Sequence, residues 1–481
     1  MLKNAKKVNK AYEFMTLITM VMGMMIGSGI YIKNHSGIGG ILGNAGNNPW
    51  IAIMMWSIFG VIATMIILVF IEIASSTKNK GHSTLQNWGS KFLGRKTGSF
   101  FSLFFVIFFT PVLTCVGAFL SVKVVFDGID ALYGKEWAGE SLRLTLRTLF
   151  TLAVLLGFMI MNIFTTKPGV IVQTVTALLK FVPLILVIIG GIILRSQGNE
   201  NAFTNSSGKW EISHIILTVT PIMFSFMGFI ESASLQKDIK NKEVVAPALF
   251  FGVIGVSLFY VLISIAIFFG SKDGNVFTLF DNLFQKTPGW AMFFKVIVAI
   301  TATSVVNGYA ITGTKGILSS FEDGLFYAKQ GFKVSLIKAG VIQSLVTVFH
   351  AIIYIILGWI FYKDIIKVVD LISNSVAIAT FTIYLLLIFG VIKNRITKKI
   401  EVDKMKYLFG IALLPSIALS LSLAYIYYDL FSKVVDSKTM IEPTIFIVTM
   451  IILVGLFLYN ESKIKQFGTL NLPVINQLIA K

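Results

Sequence analysis

Cysteine is almost missing from this chain: a single one, Cys115, stands inside an apolar run. No disulfide can form within the chain, and one thiol cannot build a cysteine metal site. Such a residue is expected to be a packed, free thiol. Charge is scarce as well. Only 13% of the 481 residues are charged, where a soluble domain carries about 25%. A chain so poor in polar surface is not expected to stay in solution. The sequence also lacks His-Glu-x-x-His, a Walker loop and acids clustered at metal-ligand spacing, and its four histidines (His35, His82, His214, His350) are scattered. His350 reads as a packed helix contact before it reads as a ligand. No enzyme chemistry, cofactor or metal is expected. Nor is a channel, since repeated filter loops and charged rings are missing. The segments around 74–98 and 195–211 are too short to hold a core of their own, so no extramembrane domain is expected.

Hydrophobic residues fill the space that charge leaves. They make up 56% of the chain, and the mean hydropathy is +0.82. Crossing a bilayer takes about 20 apolar residues in a helix. Runs of that kind fall at 14–33, 50–73, 99–125, 144–164, 170–194 and 212–235. Six more follow at 246–270, 289–319, 336–361, 366–392, 405–428 and 442–459. The first run follows a basic start (Lys3, Lys6, Lys7, Lys10) and leads into further spans. It is therefore expected to be a transmembrane helix and not a cleaved signal. The net charge of +18 reads as topology, not as nucleic-acid binding. With the N-terminus inside, roughly 25 basic residues lie on the cytoplasmic side and roughly a dozen outside, the expected bias. The dense run Lys393, Arg395, Lys398, Lys399, Lys404 and Lys406 is among the inside set. Both termini are then expected to be cytoplasmic.

Two spans carry features that a plain anchor does not need. The first is Met25-Ile26-Gly27-Ser28-Gly29-Ile30-Tyr31. Two glycines around a serine let the backbone leave helical geometry and let a ligand approach it. The freed N–H groups at a positive helix end suit a carboxylate. The same residues also suit a small-residue helix-packing face. The second runs from Pro221 through Phe224, Ser225, Met227 and Gly228 to Glu231. Glu231 is either an acid held in the membrane, which is costly and usually functional, or an end charge reaching the interface. Breaks in spans one and six have the separation expected of two inverted repeats, each opened by a discontinuous helix.

Lys180 is the third unusual residue, about ten residues into the fifth span. An unpaired charge at mid-membrane costs about 2.5–3.5 kcal/mol on the lenient insertion scale. At about 15 Å of helical rise it is too deep to snorkel easily, although snorkelling is the ordinary behaviour of lysine. A lysine held there can exchange a proton.

In this order and spacing, these pieces resemble amino acid permeases of the amino acid–polyamine–organocation superfamily. Gly27-Ser28-Gly29-Ile30 is similar to the family's break in span one. Ile71-Glu72-Ile73-Ala74 is similar to the end of its span two, and Phe224-Ser225-Phe226-Met227-Gly228-Phe229 to its break in span six. Lys240-Asn241 matches the pair that follows that break. The stretch from Asn307 to Phe321-Glu322-Asp323-Gly324 resembles its span eight. Three places depart from the pattern. Ile230 stands where many members carry the acid, Lys315 replaces an arginine, and Asn79-Lys80-Gly81-His82 replaces Pro-x-Gly-Gly.

The resemblance implies an all-α membrane fold of about 12 transmembrane helices. It implies one transporter domain over 1–481, with inverted repeats at 14–194 and 212–392 and two extra helices at 405–459. By the same resemblance Ser28 and Gly29 would meet the substrate carboxylate, with Gly27 beside them in the substrate site. Carbonyls near Ile26, Phe224 and Met227 would meet its amino group, and Phe224 would cover it, in a pocket shared with Ser225 and Gly228. Ser304 and Asn307, with Ser373 and Ser375, would line the pocket. Lys180, and with it Glu231, would serve proton coupling. The expected function is secondary active transport of neutral or cationic amino acids, linked to protons. Exchange, polyamine or other organic-cation transport, and a transporter-fold sensor or partner-dependent subunit are the alternatives. The expected partners are an amino acid, a proton and the lipid bilayer, with no nucleic acid. The expected place is the cell membrane of a bacterium.

Overall fold

The computed structural model describes residues 10–77, 84–133, 137–165, 167–206, 208–228, 230, 241–329, 332, 334–362, 365–435 and 440–468. These residues build helices and no strand. The first apolar run splits into α1 (Lys10–Met25) and α2 (Ser28–Ile32). Then come α3 (Pro49–Ser75), the short surface helix α4 (Leu85–Leu93), α5 (Arg95–Tyr133) and α6 (Glu140–Phe164). The fifth run splits into α7 (Lys167–Leu179) and α8 (Phe181–Ser196), and the sixth into α9 (Ile212–Leu217) and α10 (Val219–Phe226). The remainder is α11 (Val245–Gly270), α12 (Val276–Leu283), α13 (Pro288–Glu322), α14 (Leu336–Tyr362), α15 (Ile365–Thr397), α16 (Leu408–Ser432) and α17 (Ile441–Phe467).

Among the described residues, 11 helical segments are long and apolar enough to cross a membrane. They match eleven of the twelve apolar runs. The sixth run, 212–235, differs: its helix stops at Phe226, and residues 231–240 lie outside the described residues. Helix starts follow local chemistry. The Asn48 side chain accepts from the Trp50 N–H with Pro49 at the first helical position of α3, a capping pair that satisfies orphan donors. Asn275 does the same for Phe277 at α12.

Burial sorts the helices by role. α5 buries 89% of its apolar window and α15 72%, so they form the centre; α6 and α17 bury 17% and face the surroundings. In a bilayer that outer apolar surface meets lipid. α5 packs along α13, and α11 packs against α1, α3 and α8. α5 carries a π-turn at Phe105–Phe109, a bulge of the kind that recurs near functional sites. Cys115 is buried and free, as expected. Buried Glu72, at the end of α3, accepts from Arg395 and from the Met405 N–H at 3.0 Å. This fixes the chain between α15 and α16 against α3.

Candidate functional site

The first break sits where two glycines flank Ser28. Gly27 is extended (φ −131°, ψ −150°), so α1 ends at Met25 and a new turn begins at Ser28. The second break follows Phe226. Met227 leaves helical geometry (ψ 141°), and Gly228 takes φ +104°, a conformation open to glycine and strained for most other residues. The two breaks touch. A Cβ built on Gly29 would lie 2.6 Å from Ser225 Cα. Only a residue without a side chain lets α2 and α10 approach so closely. Gly27-Ser28-Gly29 is thus both a backbone break and a packing face.

Breaking a helix orphans carbonyls that must find donors inside the fold. Tyr260 of α11 supplies one. Its hydroxyl donates to Met25 O at 2.6 Å, with Ser225 O at 3.1 Å as a second acceptor. One fully buried phenol therefore bridges the broken ends of both helices. Lys180 supplies another. It separates α7 from α8, just before Pro183, whose ring cannot continue the hydrogen-bond ladder. Its ammonium donates to Gly23 O at 2.9 Å, and its own carbonyl accepts from Tyr31 Oη at 3.0 Å. The side chain is only 4% exposed. The ammonium is held on α1 and does not snorkel, while the Lys180 carbonyl holds α2. Span five thus grips both halves of span one.

The structure brings Ile26, Gly27, Ser28, Gly29, Phe224, Ser225, Met227 and Gly228 to these two adjoining breaks. All are buried except Gly27, which is partly buried. Ser225 Oγ donates back to Pro221 O at 3.1 Å. Ser304 bonds within its own helix, to Thr301 O at 2.6 Å. Asn307 turns toward α6 and α7. It donates to Gly169 O at 2.7 Å and accepts from Asn162 Nδ2 at 3.0 Å, which ties three helices together. Ser373 accepts from Lys33 Nζ at 2.8 Å. Buried Ser375 has no hydrogen-bond partner for its hydroxyl among the described residues. Glu231 lies outside the described residues, as do Lys240 and Asn79-Lys80-Gly81-His82. His350 bonds Val346 O of its own helix at 2.9 Å.

A separate concavity lies away from the two breaks. A groove of about 500 Å³ is bounded by the end of α5, by α12 and by the start of α13, with Asp127, Asp130, Asp281 and Lys295 in its walls. Its charges are spent on one another: Lys295 meets both oxygens of Asp281 at 2.7 Å, and Arg143 pairs with Asp130.

Comparison with known proteins shows the family. The amino acid permease family profile matches residues 12–463. The chain belongs to the amino acid permease family. Among its relatives is an uncharacterized protein of Mycoplasma pneumoniae, 24% identical over 84% of this chain and 81% of that one. The serine/threonine exchanger SteT of Bacillus subtilis is 24% identical over 61% of this chain and 64% of its own length. A rabbit b(0,+)-type amino acid transporter 1 is 26% identical, covering 79% and 75%. The permease is a multi-pass membrane protein of a transporter family, with amino acids as the substrate class.

Tyr260 was not singled out in the sequence, where it reads as one more aromatic in an apolar run. In this permease, Tyr260→Phe keeps the ring and removes the hydroxyl that donates to the Met25 carbonyl. Leaving a buried acceptor unpaired costs about 1–3 kcal/mol. The expected outcome is a lower thermal unfolding temperature and amino acid uptake reduced by about fivefold or more, both measurable on purified, reconstituted protein.

Proposed function

We propose that this permease is a secondary active transporter that moves amino acids across the cell membrane by alternating access, with the proton as the coupling ion. The observation that carries the reading is the meeting of two broken helices, which brings buried polar backbone from both to one point in the bundle. Backbone of that kind is tolerated at membrane depth where it lines a site. In this reading the Ser28 and Gly29 N–H groups and the Ser28 hydroxyl take the α-carboxylate. Carbonyls at Ile26, Phe224 and Met227 take the α-ammonium, and Phe224 covers the substrate. The repeats are 14–194 and 212–392, with 405–459 outside them. Both termini are cytoplasmic, as the basic residues favour.

Lys180 is the proposed proton carrier. Its charged form holds the Gly23 carbonyl. Losing the proton would weaken the grip of span five on α1, so protonation and the position of α1 would be linked. Glu231 stays a candidate for the same duty on sequence grounds. Exchange is the second reading, favoured by SteT, which is a named exchanger. Uptake into proteoliposomes separates the two. Accumulation that needs an inward proton gradient supports symport. Uptake that needs preloaded amino acid and ignores the gradient supports exchange. Failure of every amino acid under both conditions would overturn the reading.

A further inference from the structure

The most heavily buried charge near the breaks is one that this function does not use. Lys33 follows α2 directly and is fully buried. Its ammonium pairs with the Asp370 carboxylate on α15, and reaches Asp370 O at 3.1 Å, Ser373 Oγ at 2.8 Å and Asn374 Oδ1 at 2.8 Å. It also lies 4.8 Å above the Phe224 ring, within cation–π range. The other Asp370 oxygen faces His35 Nε2 at 3.2 Å. Because the Gly37 N–H donates to His35 Nδ1, the Nε2 atom carries the hydrogen and donates to Asp370. The segment after Lys33 is fastened to other elements as well. Asn374 Nδ2 donates to Gly39 O at 3.2 Å, the Ser36 N–H to Asp273 O at 2.8 Å and Asn44 Nδ2 to Leu217 O at 3.0 Å.

We propose that Lys33 and Asp370 form a separable latch that closes the outer mouth of the site, with segment 33–44 as its lid. The inference rests on the reading of the two breaks as the substrate site and on the proposed topology. The physics of buried ion pairs suits a latch. Desolvation nearly cancels the attraction of a buried pair, so a closed pair and a hydrated, separated pair differ little in free energy. Removing one partner is different: it strands a charge that only an open, wet mouth can satisfy. Contact with Phe224 joins the latch to the ring that covers the substrate, so both move together.

The two kinds of variant therefore act in opposite directions. Asp370→Asn strands the Lys33 charge and favours the open mouth. Lys33→Met with Asp370→Leu replaces the pair by apolar side chains, a change that commonly keeps or raises stability, and favours the closed mouth. The readout is the labelling of Ser375→Cys by a membrane-impermeant thiol reagent in a Cys115→Ala background. Ser375 lies on α15, five residues past Asp370, buried and with no hydrogen bond of its hydroxyl to lose among the described residues. Lys286→Cys, on the exposed segment between α12 and α13, reports which side the reagent meets. If it is labelled from the opposite side, the latch serves that mouth and Ser375→Cys is read from there.

The expected result is labelling accelerated about fivefold or more by Asp370→Asn and slowed by a similar factor in the double apolar variant. Equal labelling in the double variant and the parent overturns the latch, even if Asp370→Asn fails to reach the membrane. Amino acid uptake by the unchanged protein tests the transport reading separately. Transport with unaltered labelling sinks the latch alone.

Discussion

Lys180→Ala should abolish gradient-driven accumulation of amino acid while leaving the helical bundle in the membrane. The substitution removes the ammonium that holds Gly23 O at the end of α1, the group proposed to carry the proton. A buried carbonyl left without a donor costs about 1–3 kcal/mol, which a bundle of this size withstands. In the proposed symport, concentrative uptake needs a proton to travel with the substrate, and alanine has none to carry. Proteoliposomes containing the variant should equilibrate amino acid, or exchange it for preloaded amino acid, and never concentrate it. Accumulation equal to that of the unchanged protein would remove Lys180 from the coupling. The Tyr31 bond to the Lys180 carbonyl involves only backbone at position 180, so it should survive. Lys180→Ala therefore separates the chemistry of the ammonium from the packing of span five.

Gly29→Ala is expected to be nearly as severe for a different reason. The added Cβ would stand 2.6 Å from Ser225 Cα and 2.8 Å from Ser225 Oγ. A rotamer change relieves the hydroxyl but not the backbone carbon, so α2 and α10 must move apart. Overpacking of this kind costs about 1–3 kcal/mol, and here the cost falls on the state in which the two breaks meet. Uptake should fall by about fivefold to a hundredfold, and substrate affinity should fall with it. A distant control is Gly410→Ala on α16, where a Cβ meets nothing within 4 Å; it should leave uptake unchanged. Equal uptake by Gly29→Ala and the unchanged protein would mean that α2 and α10 need not approach closely for transport.

Much of this was legible in the sequence because the bilayer imposes a strict length and polarity on each helix. Eleven of the twelve expected spans could be read from hydropathy alone. Gly27-Ser28-Gly29 and Met227-Gly228 stood out because flexible or small residues in mid-span are costly unless they are used. Lys180 stood out because a charge in an apolar run is rare. What stayed hidden was pairing. Hydropathy shows that Tyr260 is in a membrane helix, but not that its hydroxyl points at Met25 O and Ser225 O. Lys33 and Asp370 each look like an end charge beside an apolar run. The clue was their opposite sign at the edges of spans one and ten, and nothing local says that they meet. Asn307 shows the converse. The resemblance placed it among the residues lining the pocket, and composition gave no sign of its bonds to Gly169 and Asn162. Each of these bonds joins residues far apart in the chain, and composition and periodicity carry no such information.

The most direct test of the central claim is competition for labelled amino acid uptake by derivatives altered at one end. Two adjoining breaks that offer N–H groups at Ser28 and Gly29 and carbonyls at Ile26, Phe224 and Met227 should require both a free carboxylate and a free α-ammonium. An amino acid methyl ester and its N-acetyl counterpart should each fail to compete, while the parent amino acid competes fully. Full competition by either derivative would contradict the placement of substrate at the meeting of the two breaks.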